Sequence, residues 1–133
     1  MNIRPGRATP AVLAELVALE SLCFRHPGER FHLRQIRSLR NSPRARVVFA
    51  RESGTLAGWA VGLLRRHGPR TCSGRLYALA VHPDCRGNGL GWRLAQKVLG
   101  QLRCRGARTF SLEVRTPNPA AQRLYQRLGF RAD

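Results

Sequence analysis

The chain has 133 residues, 43% apolar and 23% charged, which is one domain's worth of core and excludes a disordered, collagen-like or low-complexity protein. Its apolar runs, "WAVGLL" and "LYALAV", fall far short of the ~20 residues a bilayer crossing needs, and Pro5, Gly6, Glu15 and Glu20 break up any signal-peptide core. A formal net charge of +17, from 24 cations of which all but Lys97 are arginine, favours polyanionic partners (nucleic acid, ribosome, acidic peptides, phosphorylated cofactors) over polyamines.

One domain over residues 1–133 is therefore expected, cytoplasmic and without a membrane. Cys23, Cys72, Cys85 and Cys104 form no C-x-x-C pair and have no histidine at ligand spacing, so they read as reduced thiols and no metal site is expected.

In chain order, "NIRPGR" suits a short edge strand. Thr9 as N-cap and Pro10 at the first helical position then open a helix through "AVLAELVALESLCF", with Val12, Leu16, Leu19 and Cys23 at helical spacing. A second, basic helix covers "HLRQIRSLR" and stops at "NSP". The period then changes. "RVVFARES" and "TLAGWAVGLLRR" read as a hairpin turning at Ser53-Gly54, and "RLYALAV" as a third strand, apolar enough to be buried on both faces.

Leu90, Leu94, Val98 and Leu102 recur every four residues and predict a helix. "TFSLEVR" alternates as a strand, with Phe110, Leu112 and Val114 on one face and Glu113 on the other. Asn118 and Pro119 cap a last helix whose Ala121, Leu124, Tyr125 and Leu128 share a face, and Gly129 sits where a left-handed C-terminal residue is wanted. Strand, helix, strand at the end implies a parallel crossover in an otherwise antiparallel sheet, an α/β (α+β) architecture with helices flanking a mixed central sheet.

Between the third strand and its helix lies "RGNGLG", Arg86 to Gly91. A strand ending in a glycine-rich turn that enters a helix presents unpaired N–H groups at the positive end of the helix dipole, and glycines let the main chain approach an anion. Arg86 adds a fixed cation. The stretch suits a pyrophosphate. It lacks the Gly-Lys pair of a P-loop, and neither Trp92 nor Leu94 supplies the last glycine of G-x-G-x-x-G; only R-x-x-G-x-G fits.

"LAVHPDCRGNGLGWRLA" resembles the coenzyme A signature of the GNAT superfamily of N-acetyltransferases, and "LEVRTPNPAAQRLYQRLGF" is similar to the second half of that family's signature region. Within it, the second stretch most resembles the ribosomal-protein alanine N-acetyltransferases of the RimI type. The resemblance implies acetyl-coenzyme A as co-substrate, held by Leu79, Ala80 and Val81 along the pantetheine arm. Arg86, Gly87, Asn88, Gly89, Leu90, Gly91 and Trp92 would hold the pyrophosphate, and Asn118 and Tyr125 would act from the far side. It further implies that Glu113 accepts a proton from the amine and that Tyr125 returns one to the sulfur.

The implied acceptor is a protein N-terminus or peptide, with ribosomal protein favoured by the charge; a lysine or a small amine is the alternative. A rival of another class is a catalytically silent RNA- or ribosome-binding module of the same fold. The chain ends at Asp133, before the family's last strand, which suggests a truncation, a divergent member or an open edge that recruits another copy.

Overall fold

A computed structural model of the chain describes residues 2–6, 9–24, 33–40, 42–112 and 119–131. The strands are β1 (Asn2–Gly6), β2 (Ala45–Glu52), β3 (Thr55–Arg66), β4 (Cys72–Val81) and β5 (Thr109–Leu112), in one sheet of order β1-β2-β3-β4-β5. The first four are antiparallel and β5 runs parallel to β4. The helices are α1 (Pro10–Cys23), α2 (Leu33–Arg40), α3 (Leu90–Cys104) and α4 (Pro119–Arg127). This is the mixed sheet with flanking helices that the pattern predicts.

Local chemistry explains most boundaries. Thr9 adopts the extended N-cap conformation and its carbonyl accepts from the N–H groups of Val12 and Leu13, but its hydroxyl makes no capping bond. Ser53 and Gly54 both take positive φ, 51° and 83°, as a two-residue turn between twisted strands requires. "LGF" closes α4: Phe130 N–H reaches Tyr125 O and Gly129 N–H reaches Gln126 O, both at 2.9 Å, with Gly129 at φ 96°. That is a Schellman ending, and it fixes the last turn carrying Tyr125.

Two cores sandwich the sheet. On one side α1 and α2 bring Leu16, Leu19 and Ile36 against Trp59, Val61, Ala78 and Ala80. On the other, Leu90, Leu94, Val98 and Leu102 of α3 pack on Ala57, Ala60 and Leu76. The α3 stripe is buried as its spacing predicts. It approaches the sheet closely because β3 has no side chain there: a Cβ on Gly58 would lie 2.8 Å from Leu94 Cδ1, and one on Gly62 would lie 2.7 Å from Leu102 Cδ1.

β4 differs from its reading at its start. It begins at Cys72, three residues early, because "CSG" extends the ladder with β3. Its residues alternate between buried and half-buried with none exposed, so both faces are covered, one by each core, as the apolar run predicts. A bulge in the register at Val61/Gly62 leaves Tyr77 as an extra residue. The phase therefore flips: Leu76 faces α3, Ala78 and Ala80 face α1, and Leu79 and Val81 return to the α3 side.

Candidate active site

The end of β4 is where the expected site residues gather. His82 N–H donates to Ala57 O at 2.7 Å, so the main-chain groups of residues 82, 80 and 78 point toward β3. Those of Val81 and Leu79 must then point away from β3, toward the β5 side. β5 pairs with β4, among the described residues, from Ser73 to Leu76. Among the described residues, the outward N–H groups of Leu79 and Val81 have no partner, and such groups call for a ligand. Ala80 turns its polar groups into the ladder and its methyl into the core, so it shapes the strand without offering a bond.

A 3-10 turn over Pro83–Cys85 follows, its start held by His82, whose Nδ1 accepts from Asp84 N–H at 3.1 Å. Gly87 and Gly89 take φ 89° and 74°, a region that side chains disfavour. A Cβ on either would meet nothing within 4 Å, so the loop's glycines leave the approach to their outer side open. The first main-chain bond of α3 runs from Arg93 N–H to Gly89 O at 3.0 Å, which leaves the amides of Leu90, Gly91 and Trp92 ahead of the helical ladder at its positive end. Leu90 anchors this turn by a side chain 2% exposed, while Arg86, Gly87, Asn88 and Gly89 lie at the surface. The Trp92 indole N–H is buried with no partner among the described residues, and the Arg127 guanidinium of α4 covers the ring at 4.6 Å from its centroid.

Gly91 joins the pieces. A Cβ there would sit 3.4 Å from Leu124 Cδ2 of α4 and 3.6 Å from Val81 Cγ2 of β4, so the helix start, the strand end and the face bearing Tyr125 meet at one point. Tyr125 is half-buried against the α3-side core, on whose margin Leu79 and Val81 also pack. Burial pushes its phenol above the ordinary tyrosine range, so it holds its proton at neutral pH. Glu113 and Asn118, the expected base and far-side contact, lie outside the described residues.

Two contacts at this site join residues far apart in sequence. The Val81 carbonyl oxygen accepts from the Cys23 thiol at 3.2 Å and from Arg86 Nε–H at 3.1 Å. The C-terminus of α1 thus closes one side of the strand end. Burial raises the Cys23 pKa, so this group is a thiol donor and not a thiolate. Beneath it, Glu20 is 1% exposed and its carboxylate accepts from the Trp59 indole N–H at 3.3 Å. Cys85, beside the loop, is also raised by burial and turns toward Glu52 at 3.8 Å, away from nucleophilic chemistry.

The open amides, the left-handed glycines with free space above them and the partnerless indole fit a diphosphate-bearing cofactor continuing along β4. The comparisons agree. The sequence profile of the acetyltransferase (GNAT) family matches residues 13–130. The chain is 35% identical over 136 residues to the mycothiol acetyltransferase of Thermobispora bispora, covering 97% of this chain and 45% of that protein. It is 46% identical over 55 residues to the [ribosomal protein bS18]-alanine N-acetyltransferase of Escherichia coli K12, covering 41% and 37%.

The chain thus spans less than half the length of these curated relatives. Among solved structures, an aminoglycoside N-acetyltransferase AAC(6')-Iy in complex with CoA superimposes with a TM-score of 0.79 at 19% identity, over 98% of this chain and 88% of that one. The ribosomal-protein-alanine N-acetyltransferase of Brucella melitensis biovar Abortus 2308 gives 0.74 at 21%, over 99% and 93%. With its fold, its donor-side geometry and a profile match across most of its length in agreement, the chain belongs to the GNAT family of acetyltransferases.

Proposed function

We propose that the protein is an acetyl-coenzyme A-dependent N-acetyltransferase acting in the cytoplasm on the N-terminal α-amino group of a protein, with a ribosomal protein as the favoured acceptor. The observation that carries the reading is the outward-facing N–H groups of Leu79 and Val81, continuous with the amides at the mouth of α3. Acetyl-coenzyme A supplies an acyl group activated as a thioester. Leu79 and Val81 would hold its pantetheine arm by main-chain bonds, and the amides from Gly87 to Trp92, with Arg86, its diphosphate. The Val81 N–H is suited to polarise the thioester carbonyl.

Tyr125, kept protonated by burial, would give its hydroxyl proton to the departing sulfur. Glu113 is assigned as the acceptor of the amine's proton on its position in the RimI-type motif. An α-amino group has a pKa near ~8 against ~10.4 for lysine, so it asks less of that base. The 55-residue likeness to the bS18-alanine enzyme supports a protein N-terminus.

The longer likeness to mycothiol acetyltransferase, over 97% of this chain, supports a small-molecule amine as the second reading. Incubation with acetyl-coenzyme A and a peptide bearing an N-terminal Ala, beside a panel of small amines, separates the two by mass spectrometry. A gain of one acetyl group on the peptide N-terminus supports the first, and acetylation of small amines alone supports the second. Absence of calorimetric heat with acetyl-coenzyme A removes both.

A further inference from the structure

Charge is segregated along the sheet. The four described carboxylates all belong to one end: Glu52 closes β2 at the Ser53-Gly54 turn, Asp84 follows β4, Glu15 pairs with Arg51 at 2.8 Å, and Glu20 meets Trp59. The opposite end holds the start of β2, the β3–β4 connection, the C-terminus of α3 and the start of β5. There Arg44, Arg65, Arg66, Arg70, Arg105 and Arg108 are all exposed, and no described carboxylate lies among them.

Main-chain bonds lock these elements together: Leu64 N–H to Arg44 O at 2.9 Å, and Arg108 N–H to Cys72 O at 3.1 Å. The four strands from β2 to β5 spread the guanidinium groups over about 14 Å at the usual strand spacing. Concentrating like charge with no counter-charge costs stability unless a polyanion neutralises it.

We infer that this arginine-bearing end of the sheet is a docking surface for the phosphate backbone of double-stranded RNA. Guanidinium forks match phosphate oxygens in a way lysine does not, and these cations are all arginine. The described exposed large hydrophobic residues, Val17 and Leu22, lie on α1. Among the described residues the arginine end therefore has no apolar centre of the kind a protein interface or an inserted membrane anchor uses. The Phe110 ring at this end and the Tyr77 ring farther along β4, among the described residues, are each covered by a guanidinium, of Arg103 and Arg75 respectively, at 5.5 Å, which disfavours stacking of unpaired bases. The described α-helices that end here, α2 and α3, present their C-termini, unlike the helix N-termini that read a DNA major groove. A blunt array of arginines suits A-form RNA, which is recognised through phosphates and shape. The donor site lies at the other end of β4, about 30 Å away for ten strand residues, so the two surfaces can be occupied together.

Fluorescence anisotropy with a labelled 20-base-pair RNA duplex, titrated with the full chain at several salt concentrations, tests this. The combined Arg65→Gln, Arg66→Gln, Arg70→Gln variant is expected to weaken binding at least about tenfold and to flatten the log K against log salt slope by roughly 2 to 3. Arg105→Gln with Arg108→Gln, on separate elements, should flatten it by roughly 1 to 2, and carries the test if the hairpin variant fails to fold. A charge-matched control, Arg34→Gln, Arg37→Gln, Lys97→Gln, should stay within about twofold. Equal weakening by the control, tighter binding of the same sequence as DNA, or displacement of the RNA by oligoglutamate at lower concentration than by RNA itself would each overturn the assignment.

Discussion

The Arg86 guanidinium folds back onto the end of β4, where its Nε–H donates to the Val81 carbonyl at 3.1 Å, beside the Cys23 thiol that shares the same acceptor at 3.2 Å. A side chain expected to meet phosphate thus caps the strand beside the open amides. Two roles compete. As a cation Arg86 favours the cofactor, while as a cap it must be released. Loss of a charge-assisted bond outweighs loss of an exposed cap, so Arg86→Ala is expected to weaken acetyl-coenzyme A binding roughly tenfold by calorimetry. Tighter binding in the variant would show that the cap dominates.

The cysteines report the same region. Cys23 is half-buried, bonded to Val81 O and raised in pKa by burial, whereas Cys104 is exposed at the end of α3. Iodoacetamide at pH 8 should therefore alkylate Cys104 well before Cys23, as read by peptide mass spectrometry over time. Early labelling of Cys23 would mean that the α1 end does not rest on β4.

Two glycines separate binding from folding. Gly89→Ala forces a side chain into φ 74°, at about 1 to 2 kcal/mol, but its Cβ meets no protein atom. The variant should fold, melt a few degrees lower and lose acetyl-coenzyme A binding. Gly58→Ala places a Cβ 2.8 Å from Ala80 O and Leu94 Cδ1, and is expected to cost about 1 to 3 kcal/mol in urea unfolding. Donor binding retained in Gly89→Ala would mean that the diphosphate lies elsewhere.

How much of this was legible follows from the range of each cause. The α3 stripe, the Ser53-Gly54 turn and the Gly129 ending depend on residues within a turn or two of one another, and pattern alone predicts them. The Tyr77 bulge does not show in "RLYALAV", because it is set by the partner strand at Val61/Gly62. Cys23 and Val81 are 58 residues apart, and no local spacing links them. Glu20 carries a readable signal, a carboxylate one residue past Leu19 on the buried stripe, yet by pattern alone it reads as an interruption of an apolar run. The arginines stand out as composition, and the basic pattern of α2 draws the eye; only strand register gathers Arg44, Arg65, Arg70 and Arg108 at one end.

Glu20 is a buried carboxylate accepting from Trp59 Nε1. Its truncation removes packing and leaves that buried indole without this acceptor, so Glu20→Ala should cost about 2 to 4 kcal/mol in urea unfolding. Glu20→Gln retains shape and an acceptor oxygen, and should recover most of that loss. Equal losses in both variants would show that the charge itself holds α1 to the sheet.

Tyr125 gives the sharpest chemical test. Burial disfavours the phenolate, so its pKa lies above the ordinary value of about 10. With the folded pKa raised, this group's contribution to stability is intact below pH ~10 and is lost as pH climbs through the folded value. Activity that needs the phenol proton should hold to the same limit and fall only above it. Tyr125→Phe keeps the ring packed against the α3-side core, so acetyl-coenzyme A affinity should change by no more than about twofold, while kcat drops by roughly a hundredfold or more. The variant's residual rate should lack the high-pH limb. Steady-state rates at saturating donor across pH 6 to about 11, with folding checked by circular dichroism at each pH, measure both effects, and an unchanged kcat would assign the proton to another group.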